Sequence, residues 1–215
     1  MYALVGSTCG EVVLSLIPHF ELGLWNAWLL ILLMFIIVIG IPQLIFKLFF
    51  ENVKVAEVSK RHSTMPQLSE QEKIINHLLT VTLLAAIGYS VFLPLRLSTY
   101  WLIAGLFIYL IGMVFGFIAI INFGTAPFDR PVTYGVYRVS RHPMYFSMFL
   151  IFIGIGVASA SWVFLLLTVI WLLLSDRMVI SEERWCIKTY GDAYREYMKR
   201  TPRWIVPTKY MNKQK

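Results

Sequence analysis

The sequence predicts an all-α, polytopic membrane protein. It has about five transmembrane helices, the N-terminus outside, the C-terminus in the cytoplasm, and a C-terminal amphipathic helix. Three observations carry this reading. Of 215 residues, 58% are hydrophobic and only 14% charged, whereas a soluble domain carries about 25% charged residues. Several stretches free of charge approach the roughly 20 residues that one helical crossing of a bilayer core requires. Lys and Arg concentrate in alternate loops, as the preference of basic loops for the cytoplasmic side demands.

Taken in order, residues 2–18 are moderately apolar but include Glu11 and lack the basic start of a signal peptide, so they read as interfacial. The first span is 25–46. Pro42 inside it removes a backbone hydrogen bond and should kink the helix near its cytoplasmic end. The polar loop 51–75 is broken at Ser63-Thr64-Met65-Pro66. It ends in a helix start, where Ser69 followed by Glu72 fits a capping box. Spans two and three are 77–95 and 100–121. Gly112 and Gly116 in the third have the spacing that lets two helices approach closely, and are assigned to packing. Residues 144–159, short for a full crossing, and 162–180 form a pair joined by a turn at 158–161. After Ile180 an amphipathic helix is expected, with Cys186, Tyr190, Ala193, Tyr194 and Tyr197 on one face. Gly191 costs that helix about 1 kcal/mol relative to Ala, so it should dock on the membrane or on other helices, and Pro202 and Pro207 end it. No internal repeat of the inverted-transporter kind is present. The chain divides into an N-terminal part, 1–121, and a cofactor-binding part, 122–215.

All but Lys47, Arg96 and Arg177 of the 19 Lys and Arg residues lie in the loop after the first span, the loop after the third, or the tail from Ser181. The net charge of +7 therefore reads as an anchor to anionic headgroups, and nucleic acid is not an expected partner. Cys9 and Cys186 fall on opposite sides of the membrane and cannot pair. His19, His62, His77 and His142 lie on separate segments without metal-ligand spacing, so no metal site is expected. No glycine-rich dinucleotide fingerprint occurs.

Chemistry concentrates in two places. The first is Gly135-Val136-Tyr137-Arg138-Val139-Ser140-Arg141-His142-Pro143-Met144-Tyr145, where Pro143 suits the first residue of a helix. The arginines and tyrosines there also serve as interface anchors, but a buried His142 at a helix start needs a partner. The second is Ser175-Asp176-Arg177 with Glu182-Glu183, at the cytoplasmic end of the fifth span. Ionisable residues at that depth are costly unless paired or facing water. Asp176 and Arg177 point to different faces of their helix. The hairpin of spans four and five brings the Arg-His-Pro start and the Glu-Glu end to the same membrane face, so a cationic cluster confronts an anionic one.

This series resembles the isoprenylcysteine carboxyl methyltransferase family and its phospholipid methyltransferase relatives. The likeness rests on Arg141-His142-Pro143-Met144-Tyr145, the hairpin, Glu182-Glu183, Tyr190-Gly191-Asp192-Ala193-Tyr194-Arg195-Glu196-Tyr197 and Thr201-Pro202-Arg203, with Val132-Thr133-Tyr134-Gly135-Val136-Tyr137 upstream. It covers about 122–205. Ser147 stands where many members have glycine. The resemblance implies S-adenosylmethionine as cofactor, bound without a Rossmann domain on the cytoplasmic side. It implies Arg141 and His142 for the α-carboxylate, Glu182 and Glu183 for the amine and ribose hydroxyls, and Tyr137 or Tyr145 facing the sulfonium, with Pro143 in the same cofactor-binding set. Arg177 is the candidate for orienting an anionic acceptor, against the alternative of snorkelling to the headgroups. The expected acceptor is lipophilic, isoprenylcysteine carboxylate-like and drawn from the bilayer. An aminophospholipid or a small thiol is also open. Two other classes stand beside it: an NADPH-dependent sterol-type reductase, and a non-catalytic membrane scaffold or small transporter. The membrane is a prokaryotic plasma membrane or the endoplasmic reticulum.

Overall fold

The computed structural model describes residues 22–49, 68–95 and 99–205. The interfacial segment 2–18 with Cys9, the basic residues Lys54, Lys60 and Arg61, the break at 63–66, Arg96 and Pro207 lie outside the described residues. The elements are α1 (Trp28–Met34), a π-helical turn (Phe35–Gly40), α2 (Ile41–Phe49), α3 (Glu70–Ser90), α4 (Tyr100–Thr125), a 3-10 turn (Gly135–Arg138), α5 (Pro143–Ala158), α6 (Trp162–Tyr190) and α7 (Asp192–Arg200). Four helical stretches are long and apolar enough to cross a membrane, namely Trp28–Leu48, α3, α4 and α6, and α5 is a shorter apolar helix. Large apolar side chains such as Phe107, Val114, Leu166 and Leu173 point outward and are more than half exposed. Such a surface belongs in hydrocarbon.

Local chemistry accounts for the element boundaries. Pro42 cannot donate to the carbonyl four residues back, and the ladder widens just upstream of it: the Ile41 N–H bonds to Ile36 O, closing the π-helical turn. The expected distortion is therefore a π-turn, a known way for a helix to absorb a break. Ser69 and Glu72 form the anticipated reciprocal capping box at the start of α3. The start of the first span is tied to the α3–α4 connection by Ala27 N–H to Leu93 O (2.8 Å) and Asn26 Nδ2 to Val91 O (2.7 Å).

α4 and α5 make the closest helix pair. A methyl group at Gly112 would fall 2.8 Å from the Ile151 nitrogen, and one at Gly154 would fall 2.6 Å from the Tyr109 nitrogen. Absent side chains thus let the two backbones touch, and dispersion contacts replace the hydrophobic drive that lipid does not supply. Ser147 is buried and lies opposite Gly116, where an added methyl would sit 2.9 Å from Ser147 Oγ. The facing helix makes the room that a serine needs here. The Tyr109 hydroxyl donates to Leu30 O at 2.6 Å and locks α4 to α1.

The α5–α6 turn falls at 158–161 as expected, with the Ser161 side chain capping α6 through Phe164 N–H. One expectation about the tail is corrected. α6 does not change into a separate helix at Ile180. It continues unbroken for 29 residues to Tyr190, about 43 Å at 1.5 Å per residue, so its last turns overrun a hydrocarbon core of roughly 30 Å. The break comes at Gly191, which adopts φ +56°, a region open to glycine. α7 then folds back. Tyr194 and Tyr197 pack with Ala126, Val132 and Tyr137, and Cys186 and Tyr190 join this cluster. The partner of the amphipathic face is therefore the protein itself, while Ala193 is exposed on the other side.

Candidate active site

The loop before α5 is shaped from behind by Asn122. Its side-chain oxygen accepts from Val136 N–H at 3.2 Å, and its carbonyl accepts from the Tyr134 hydroxyl at 2.8 Å. This fixes the 3-10 turn. The next residues zip to the segment after α7: Arg141 N–H donates to Pro202 O at 3.0 Å, and the Ser140 hydroxyl donates to Arg203 O at 2.8 Å. Ser140 Oγ also accepts from His142 N–H at 3.1 Å. Pro143 then opens α5, with His142 as the residue before its first turn.

The hairpin places α5's start beside the projecting end of α6, and five of the anticipated residues meet there. Glu183 is the hub. Its carboxylate lies 3.2 Å from Arg141 Nη1 and 3.3 Å from His142 Nε2. Arg203 grips it with two parallel bonds, Nη2 to Oε2 at 2.8 Å and Nε to Oε1 at 3.2 Å, the fork geometry that makes Arg–carboxylate pairs strong. Glu182 is more open, its side chain 20% exposed against 6% for Glu183. It accepts from the Tyr145 hydroxyl at 2.5 Å and lies 3.5 Å from His142 Nδ1. Both imidazole nitrogens thus face carboxylates. Pro143 is buried at the same helix start.

Two anticipated residues lie elsewhere. Tyr137 is buried in the tyrosine cluster under α7, where its carbonyl accepts from the Tyr197 hydroxyl at 2.6 Å. Arg177 is exposed on another face of α6. Three further residues complete the cluster. Arg203 bridges Glu183 and Asp176, the latter at 3.7 Å. Trp204 Nε1 donates to Asp176 Oδ1 at 3.0 Å, and the Trp204 ring lies 6.4 Å from that of His142. The signal for Asp176 was its need for a partner, and Arg203 stood in the Thr-Pro-Arg series. Neither revealed that the tail returns over the hairpin.

Burial alone would disfavour a charged His142, but the hydrogen bonds its ring donates to Glu182 and Glu183 outweigh it and raise its pKa above the ordinary 6.5. A raised folded pKa stabilises the protein fully below about pH 6.5, and that contribution is lost as pH rises through the folded value. Thermal melts between pH 6 and 9 should therefore show a falling melting temperature. A His142→Asn variant should lack that slope, and equal slopes in the two proteins would show that His142 is not the titrating group.

The cluster also holds unspent donors. Arg141 Nε and Trp171 Nε1 are buried without a hydrogen-bond partner, Arg141 Nη1 being engaged by Glu183 at 3.2 Å, and the Trp171 indole packs 6.0 Å from the Tyr145 ring. Buried polar groups normally find partners, so an unpartnered guanidinium N–H in the same cluster as a partly exposed carboxylate suits a small ligand carrying both charges, such as an amino acid. The fold and this cluster together define the class: an integral membrane protein with a charged cluster at the end of an apolar helical hairpin. The chain belongs to the phospholipid methyltransferase family, whose model matches residues 83–193, just over half of the sequence. It is also 34% identical over 73 residues to the protein-S-isoprenylcysteine O-methyltransferase of Schizosaccharomyces pombe. That segment covers 33% of this chain and 30% of the relative's length.

Proposed function

We propose that the protein transfers a methyl group from S-adenosylmethionine to a lipophilic acceptor, isoprenylcysteine carboxylate-like, at the cytoplasmic face of its membrane. The observation that carries this reading is an unpartnered donor, Arg141 Nε, in the same cluster as the partly exposed Glu182 carboxylate. S-Adenosylmethionine, when bound, supplies an electrophilic methyl on a sulfonium centre. Arg141 offers Nε to its carboxylate, and Glu182 offers an acceptor to its amine or hydroxyls. Glu183 and Arg203 hold Arg141 and His142 in place, so the pocket is organised before ligand arrives. Tyr145, held by Glu182, and Trp171 line the apolar side, from which a bilayer-borne acceptor enters. Methyl transfer of this kind needs chiefly positioning and the exclusion of water.

The family description favours a phospholipid acceptor as the second reading, and the Schizosaccharomyces pombe relative favours a prenylated cysteine. Calorimetric titration with S-adenosylhomocysteine should show binding to the wild type. Arg141→Lys, which keeps the charge but loses the Nε donor and the planar fork, should weaken it by about tenfold or more. No binding to folded wild type in detergent and in lipid would end this reading, and a response to NADPH instead would favour reduction. Methylation assays with a prenylcysteine, an aminophospholipid and a small thiol then separate the acceptors.

A further inference from the structure

A second polar recess lies apart from the Arg141–Glu183 cluster. Between the loop that precedes α5 and the outer face of α7 opens a cleft of about 440 Å³, lined in part by Thr133, Arg138, Glu196, Tyr197, Arg200 and Thr201. Its two arginines are not neutralised by ion pairs. Arg130, Arg184, Arg195, Lys199 and Arg203 each have a carboxylate partner, whereas Arg138 and Arg200 form no ion pair among the described residues and both are exposed. The lining carboxylate, Glu196, is bonded to Lys199 Nζ at 2.6 Å and is also drawn by the Arg200 charge, so with Lys199 counted the cleft keeps an excess of positive charge. The Tyr197 hydroxyl is spent on the Tyr137 carbonyl. That bond fixes the turn carrying Arg138 against the helix carrying Arg200, so the two walls are held in register. Thr133 and Thr201 add hydroxyl donors. The recess therefore presents two exposed cationic heads and two hydroxyls, which is the chemistry that recognises a tetrahedral oxyanion.

Its place along the molecule narrows the source. Val139, beside Arg138, is 45% exposed, and the apolar α5 begins four residues later. The cleft thus stands at the depth where the chain passes from water into hydrocarbon, where headgroup phosphates lie. We propose that this cleft binds a phosphate group, with Arg138 and Arg200 supplying the charge and Thr133 and Thr201 the hydroxyls. The phosphate comes from an anionic phospholipid headgroup or is free in solution, and it clamps α7 to the loop before α5. The proposal does not depend on the methyl-transfer reading.

The test uses the full chain in detergent, titrated calorimetrically with a short-chain phosphatidylglycerol, with inorganic phosphate, and with a short-chain diacylglycerol that lacks phosphate. Arg138→Gln/Arg200→Gln should lose about tenfold or more in affinity for the phosphate-bearing probe, as two cations near an anionic headgroup would. The control Arg130→Gln/Arg195→Gln, with the same change in net charge outside the cleft, should behave as wild type. Thr133→Val, which leaves every charge in place, should lose severalfold and decides the matter if the double variant does not fold. Tight phosphatidylglycerol binding that phosphate does not displace identifies a headgroup, and equal binding of both probes identifies free phosphate. Equal losses in the cleft and control variants, no loss in either, or diacylglycerol binding as tight as phosphatidylglycerol would overturn the proposal.

Discussion

Glu183→Ala should destabilise the protein by about 3 kcal/mol or more, while Glu182→Ala should cost about 1 kcal/mol. The two carboxylates are neighbours in sequence with different duties. Glu183 is buried and is the common partner of Arg141, His142 and Arg203. Removing it leaves the buried Arg141 without its anion and leaves Arg203 and His142 only their longer contacts, to Asp176 at 3.7 Å and Glu182 at 3.5 Å, and stripping one partner from a buried pair is costly. Glu182 is more exposed and is tied to the Tyr145 hydroxyl and the edge of His142, so water takes its place at modest cost. Ligand binding should divide the other way in kind: Glu182→Ala lowers the melting temperature by only a few degrees and loses affinity for S-adenosylhomocysteine, whereas Glu183→Ala loses both together. Thermal melts in detergent beside calorimetry read the two quantities. Equal destabilisation by the two substitutions would show that the hub assigned to Glu183 is shared.

Gly135→Ala should cost about 3 kcal/mol, the sum of a left-handed backbone for a residue with a side chain and a lost buried hydrogen bond. Gly135 sits at φ +60°, and an added methyl would fall 1.9 Å from Asn122 Oδ1. Asn122 must then move, the Val136 N–H loses its acceptor, and the turn that seats Tyr137 under Tyr197 shifts. Hydrogen exchange should accelerate through α7, which depends on that seat. Gly191→Ala provides the comparison, because Gly191 shares a positive φ of +56° but an added methyl there meets no atom within 4 Å. A larger cost at Gly135 than at Gly191 is the expected result, and a cost at Gly135 no greater than that at Gly191 would count against the contact with Asn122.

Much of the fold was legible because it follows from local rules. Charge-free runs marked the spanning helices, Ser69 with Glu72 marked the start of α3, and the small residues at 158–161 marked the hairpin turn. Gly112 and Gly116 declared a close helix contact, although the sequence did not name α5 as the partner. The tail was misread at Ile180 because a helix that leaves the bilayer changes the composition of its surface without changing its backbone. Periodicity therefore continued while hydrophobicity fell, and only the positive φ of Gly191 ended the helix. Tyr137 was grouped with Tyr145 because they flank one motif. The 3-10 turn and the start of α5 send them to different clusters, an outcome of backbone direction that spacing does not carry.

By itself the sequence determined that this is a multi-span helical membrane protein, and that its arginine, histidine and paired glutamates gather at one end of a hairpin. Hydrophobic length and the antiparallel return of two helices leave no other placement. The tertiary structure decided the division of labour within that gathering. It turned α7 back so that Arg203 and Trp204 close over Glu183 and Asp176, and it left Arg141 Nε unspent in the same cluster as the partly exposed Glu182. Those distinctions rest on distances of a few ångströms between segments some 20 to 60 residues apart in sequence, set by how α7 packs on the 3-10 turn, and no local pattern encodes them.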